Sequence, residues 1–216
     1  MLRLTAAALL VLVAPASGPA PHAPPRPAPA AGPVRLVLAP EGNEARWRVR
    51  ERLASFDFPN DAVGTTRDVG GAIVLRADGK PDSSASKITV NLTTLHSDRE
   101  MRDRYIQHRT LETDKFPTAV LVPTDLLRLR GGALPDTGSF SFELVGSLTV
   151  HGVTKSTTWL VSAVARNGSY TGTAQTRVTF EDFGMTQPRV PILLSIEDEI
   201  NLEYQFVFVR DTTYRG

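Results

Sequence analysis

Histidines are the first place to look for chemistry in this chain, and there are four: His22, His96, His108 and His151. None is spaced from another as two metal ligands on one helix or hairpin would be, so a zinc site would require distant carboxylates to converge on one of them. Carboxylates occur in adjacent runs, Glu181-Asp182 and Glu197-Asp198-Glu199. Neighbouring residues on a strand point to opposite faces, so neither run forms an acid-base dyad by itself. A serine hydrolase would need its nucleophile on a G-x-S-x-G elbow, which is absent. Gly70-Gly71 and Gly131-Gly132 lack the strand-to-helix setting of a phosphate loop and read as turns. With no cysteine in the chain, disulfides, thiolate metal sites, thiol nucleophiles and lipidated cysteine anchors are all excluded. No metal and no cofactor is expected, and the residues describe a binding domain more readily than an enzyme.

Charge narrows the partners further. Twenty-four Lys and Arg balance 23 Asp and Glu in 216 residues, with no block of like charge, so nucleic acid is not an expected partner. Arg3 followed by an apolar stretch from Leu4 to Val13 and by small residues around Pro15 reads as a secretory signal peptide cleaved after Ala16. That stretch falls short of the ~20 apolar residues a membrane span needs, so no stable span is expected after cleavage. Residues 17–33 are a Pro/Ala-rich linker of the polyproline type. Residues 34–216 form the domain, and export without cysteine suits a periplasmic or secreted location.

Within the domain almost every segment alternates with period two. Ala45, Trp47, Val49 and Leu53 oppose Arg46, Arg48, Arg50 and Arg52, and Phe140, Phe142, Leu144, Leu148 and Val150 share a face with Gly146, where close backbone approach is easiest. Trp159, Val161 and Ala163 continue the pattern. The C-terminal run puts Leu194, Ile196, Ile200, Leu202, Tyr204, Phe206 and Phe208 on one face. Asp198 falls on that face, which implies a bulge that turns it outward or a buried carboxylate with a partner, the bulge being favoured. Asp78-Gly79, Arg130-Gly131-Gly132, Asp136-Thr137-Gly138 and Asn167-Gly168-Ser169 mark turns of an antiparallel meander. One segment is helical: a Ser97/Glu100 capping box followed by Met101, Tyr105 and His108 on one face predicts an amphipathic helix over 97–110. On it, Arg102-Asp103-Arg104 is either a surface ion-pair cluster or a fastening of the helix across a barrel mouth.

The block Leu148-Thr149-Val150-His151-Gly152-Val153-Thr154-Lys155, taken with Arg102-Asp103, Phe116-Pro117 and Asp182-Phe183-Gly184-Met185, resembles the YceI-like family of exported, lipocalin-like proteins over residues 34–210. The resemblance implies an all-β fold, an eight-stranded antiparallel lipocalin-like barrel with one amphipathic helix near one end. It further implies an elongated apolar lumen holding a polyisoprenoid, an isoprenoid quinone or a similar lipid. Two departures stand out: Glu181 occupies a position where many members carry Arg, and the usual His-Ser is missing near Asn43 to Trp47.

An eight-stranded barrel has an interior that its own side chains can fill or that can hold one slim ligand. The inward set, Trp47, Val49, Phe142, Leu144, Leu148, Val150, Trp159, Val161, Leu202, Tyr204 and Phe206, is lumen on one reading and plain core on the other. Tyr105, His151 and Lys155 are the polar groups nominated for a mouth. The expected function is transport or sequestration of an apolar lipid. An enzyme acting on an isoprenoid with His151 as acid-base, and a ligand-free interaction module, are the alternatives. Dimerisation is left open.

Overall fold

The computed structural model describes residues 32–55 and 57–216. The signal peptide and most of the linker expected from the sequence lie outside them. The chain forms β1 (Val34–Leu38), β2 (Glu44–Leu53), β3 (Asn60–Thr66), β4 (Val69–Leu75), β5 (Lys87–Asn91), β6 (His96–Ser97), α1 (Glu100–Tyr105), β7 (Thr118–Leu127), β8 (Thr137–Val150), β9 (Val153–Arg166), β10 (Ser169–Thr179) and β11 (Leu193–Arg210).

All pairings are antiparallel. β1 and β2 lie end to end along one edge of β11, β3 and β4 continue beside them, and β5 and β6 form the next row. Each of these pairs is one long strand broken in the middle. With β7 to β11 they make eight rows, and the β1–β11 pairing closes the sheet into a barrel. The first break is visible in the register: residues 39–43 bridge Leu38↔Phe208 to Glu44↔Gln205, where β11 spends only residues 206 and 207. Gly42 takes φ +86° inside this surplus, in the left-handed region where a Cβ is penalised.

The turn chemistry explains the long β8–β9–β10 meander. His151-Gly152 (φ +50° and +75°) and Asn167-Gly168 (φ +49° and +86°) are two-residue connections with both central residues left-handed, the type I′ geometry that matches strand twist. Asp78-Gly79 and Arg130-Gly131-Gly132 are turns as the sequence indicates. Asp136-Thr137-Gly138 is not a turn: β8 begins at Thr137, and Gly138 pairs with Ala165 inside the sheet. Gly146 does permit close approach, since a Cβ there would meet Leu121 Cδ1 at 2.8 Å and the Val122 carbonyl oxygen at 2.9 Å. The opposing strand has its register shift next to this point, between Pro123 and Asp125, where a residue without an N–H is tolerated.

The helix is shorter than its sequence pattern. α1 covers only Glu100–Tyr105, and Ile106–Thr110 continues as a single π-helical turn. The expected capping box does not form, because Ser97 belongs to β6 and its hydroxyl and backbone N–H both donate to Asp103 Oδ1, at 2.6 and 2.8 Å. Arg99 therefore occupies the N-cap position, with no side-chain cap. The inward face also differs: His108 is exposed away from the lumen and Met101 is exposed at its rim, while Ile106 and buried Thr110 turn toward the barrel. The tertiary demand of crossing from β6 to β7 overrides the 3.6-residue pattern.

On β11 the expected bulge is present. Ile196 pairs with Glu51 and Ile200 with Val49, so three residues oppose one and Asp198 turns outward, accepting from Gln187 Nε2 at 3.3 Å. A second shift between Leu193 and Ser195 sends Leu194 outward as well, contrary to the alternation read from the sequence, and Leu193 takes the inner position.

Candidate functional site: an apolar lumen

The inner faces do not meet. They enclose a cavity of about 920 Å³, which settles the choice between a filled core and a lumen in favour of the lumen. Its wall is built strand by strand from alternating positions: Trp47 and Val49 from β2, Phe142, Leu144, Leu148 and Val150 from β8, Trp159 and Val161 from β9, and Leu202, Tyr204 and Phe206 from β11. Tyr105 of α1 also lines it. Five alanines, Ala45, Ala62, Ala119, Ala163 and Ala174, widen the bore where larger side chains would close it. Trp159 needs a partner for its indole N–H and finds one in the wall, donating to Thr157 Oγ1 at 2.9 Å.

Leu134, Phe140, Tyr170 and Phe208 bound the end of the lumen farthest from α1. Phe140 and Phe142 stack at 5.9 Å there, and the Tyr170 hydroxyl accepts from Arg210 Nη2 at 2.9 Å. Polar lining residues gather instead at the α1 end, among them Arg99, Glu100, Arg102, Arg104 and Tyr105.

One buried ion pair joins α1 to the wall. Arg102 Nη2 donates to Glu51 Oε1 at 2.6 Å, with the side chains only 12% and 6% exposed. Asn60 Nδ2 donates to the same oxygen at 3.2 Å, and Arg102 Nη1 also reaches Asp98. Of the two readings of Arg102-Asp103-Arg104, fastening the helix across the mouth is therefore the one observed. Glu51 was missed in the sequence, although its odd-numbered position between Val49 and Leu53 places it on the apolar face and could have marked it.

His151 and Lys155 are not at the mouth. His151 heads the β8–β9 turn, with Nδ1 3.2 Å from the Phe183 carbonyl oxygen, Nε2 3.0 Å from Glu112 Oε2, and its ring edge-on to Phe116 at a centroid distance of 4.7 Å. Both nitrogens are thus engaged in holding three loops together, away from the lumen. The family block read from the sequence reports a structural knot here, because the left-handed His-Gly turn throws the imidazole outside the barrel. Lys115 and His151 hold the Glu112 carboxyl below its ordinary pKa. Lys155 is exposed near the β8–β9 turn and does not line the lumen, although its cross-strand partner Leu148 does. Among the described residues no group of three or more His, Asp or Glu could hold a metal ion.

Tyr204 carries a cost. Its hydroxyl is buried without a hydrogen-bond partner, and burial pushes its pKa up. An unsatisfied buried hydroxyl is worth roughly 1–3 kcal/mol of lost solvation. Tyr204→Phe is therefore expected to raise stability, by about 1 kcal/mol, readable as a higher urea midpoint at unchanged slope.

A closed antiparallel eight-stranded barrel around an apolar lumen, roofed at one end by a short helix, defines a lipocalin-like barrel. The family model for the YceI-like domain matches residues 37–208, and the chain belongs to that family. Similar chains include a UPF0312 protein of Pseudomonas fluorescens, 31% identical over 147 residues (65% of this chain and 71% of the relative), and one of Azotobacter vinelandii, 26% identical over 147 residues (65% and 72%). Among solved structures, a polyisoprenoid-binding domain from Saccharophagus degradans implicated in plant cell wall breakdown superposes with a TM-score of 0.60 at 10% identity, covering 82% of this chain and 98% of that one. BcnA of Burkholderia cenocepacia gives 0.55 at 12%, covering 76% and 95%. At such identities these two likenesses establish the fold.

Proposed function

We propose that this protein is an exported carrier or sequestering protein that holds one long apolar chain, a polyisoprenoid, an isoprenoid quinone or a similar lipid, in the barrel lumen. The observation that carries the reading is the almost wholly apolar bore of about 920 Å³. From Ile196 to Phe208 the lining side of β11 advances no more than about 40 Å at ~3.3 Å per residue. At a strand tilt of roughly 40° that is about 30 Å along the barrel axis, a shape that suits a slim chain better than a compact ring system. The polyisoprenoid-binding neighbour of the same fold supports the ligand class.

Affinity is not the limiting quantity. Burying on the order of forty carbons at roughly 0.8 kcal/mol each gives about 32 kcal/mol, beyond the ~18–21 kcal/mol that non-covalent complexes reach. Ordering the flexible chain takes back much of the excess, so bore length and width set selectivity. The signal-peptide pattern and the family support a location in the periplasm or outside the cell. Holding a lipid in the lumen calls for no cofactor and no chemistry.

The test is native mass spectrometry of the protein purified from an isoprenoid-producing host, followed by solvent extraction. A stoichiometric adduct with a prenyl or quinone mass is expected. A ligand-free spectrum that persists after incubation with prenyl lipids would overturn the reading.

A further inference from the structure

Three segments frame the mouth, and each touches the next. The Ala54 N–H donates to the Ile192 carbonyl oxygen at 2.9 Å, the Arg189 N–H reaches the Tyr105 hydroxyl at 3.4 Å, and Arg102 of α1 returns to Glu51 of β2. This ring of residues 54, 55, 57–59, 98–105 and 186–194 carries four of the seven large apolar side chains exposed among the described residues: Phe58 (78%), Met101 (77%), Leu194 (58%) and Ile192 (54%). Scattered exposed apolar residues are ordinary, but four around one opening are a patch. Met101 and Ile192 also line the lumen, so the exposed patch and the apolar bore are one continuous surface. The same three segments hold four arginines and four carboxylates, so they carry no net charge.

We propose that this rim is a docking surface for a phospholipid bilayer, through which the lumen loads and unloads its chain. The inference rests on the lipid-binding reading, because a chain of that length has its reservoir in a membrane and its passage through water is strongly unfavourable. An apolar rim pressed into the headgroup boundary removes the water step and sets the bore against the acyl region. With rim charges balanced, side-chain insertion supplies the attraction. Docking therefore occurs on zwitterionic phosphatidylcholine and is only weakly sensitive to salt, unlike docking by a polybasic patch.

The chain has no cysteine, so single reporters can be placed in the full-length protein. Met101→Cys and Ile192→Cys, each labelled with a polarity-sensitive fluorophore, are compared with Leu160→Cys on the outer wall, 63% exposed in the native protein. With phosphatidylcholine vesicles the two rim labels are expected to shift to the blue and to be quenched by acyl-chain spin labels, while the wall label stays aqueous. Each reports its own site, whatever residues 1–31 do. Replacing Met101 and Ile192 by Ser, with the label at Phe58→Cys, should weaken vesicle partition at least ~tenfold, equivalent to about 1.4 kcal/mol. Rim labels that remain aqueous, or a wall label that shifts equally, overturn the proposal. So does a concentration-dependent rim shift without vesicles, which would assign the rim to a second copy of the chain. Mass analysis of the same preparations reads lumen occupancy separately, so lipid in the lumen with aqueous rim labels removes the docking proposal alone.

Discussion

Leu144→Arg should abolish copurifying lipid. Leu144 is 6% exposed, lines the bore from β8 and faces Trp159 and Leu126 across its two ladders. A guanidinium there fills the lumen and would have to be desolvated against a hydrocarbon chain, a cost of several kcal/mol that the chain cannot repay with a hydrogen bond. The same charge could also prevent folding, and a neutral plug separates the two effects. Ala174, 6% exposed on the lumen side of β10 between Val161 and Tyr204, can be changed to Trp, which narrows the bore without introducing charge. Both variants should lose the bound lipid mass in native spectra. Ala174→Trp should keep its cooperative thermal transition, because it grows into empty space and not into close-packed core. Full lipid content in a folded Ala174→Trp protein would refute the lumen as the binding site.

The second large effect is on stability. Arg102→Ala leaves Glu51, 6% exposed, without its cation in the wall of an apolar cavity and cuts the tie between α1 and β2. Breaking a buried pair by removing one partner typically costs about 3–5 kcal/mol. For a domain of this size each kcal/mol moves the melting temperature by roughly 2–4 °C, so a fall of about 6–12 °C or more is expected. The double variant Glu51→Leu with Arg102→Met should recover most of that loss, since replacing both charges by apolar groups of similar size removes the desolvation penalty along with the attraction. Calorimetry of the two single variants and the double variant measures the coupling directly. A double variant no more stable than Arg102→Ala alone would show that the pair's value lies in positioning the helix.

Much of the architecture is written locally. Period-two alternation identified β2, β8, β9 and β11 and, Leu194 apart, which side of each faces inward, because side chains on a pleated backbone alternate without reference to the rest of the fold. Asn167-Gly168 marked its hairpin because the left-handed turn is a property of two residues. Asp198 on an apolar face announced a bulge, since the alternative was a buried charge. The helix was legible in kind but not in extent. Its capping box needs Ser97, and β6 takes that residue first to pair with β3.

What the tertiary structure alone decided is what the inward faces enclose and how they are capped. The same alternating sequence would serve a packed core or an open bore, because filling depends on the barrel's radius and on where Ala45, Ala163 and Ala174 stand opposite larger side chains, distances no local pattern contains. His151 read as a mouth residue from its polar character, yet its contacts with Glu112, Phe116 and Phe183 bring together loops separated by 32 to 39 positions in the chain. Glu51 and Arg102 lie 51 positions apart and are neutral to each other until the barrel closes. The alternation determined antiparallel strands with one apolar side, since that follows from each residue and its near neighbours, and the barrel itself was implied only by the resemblance that the family block carries. The size of the lumen, the latch at its mouth and the apolar rim around it exist only once distant strands meet.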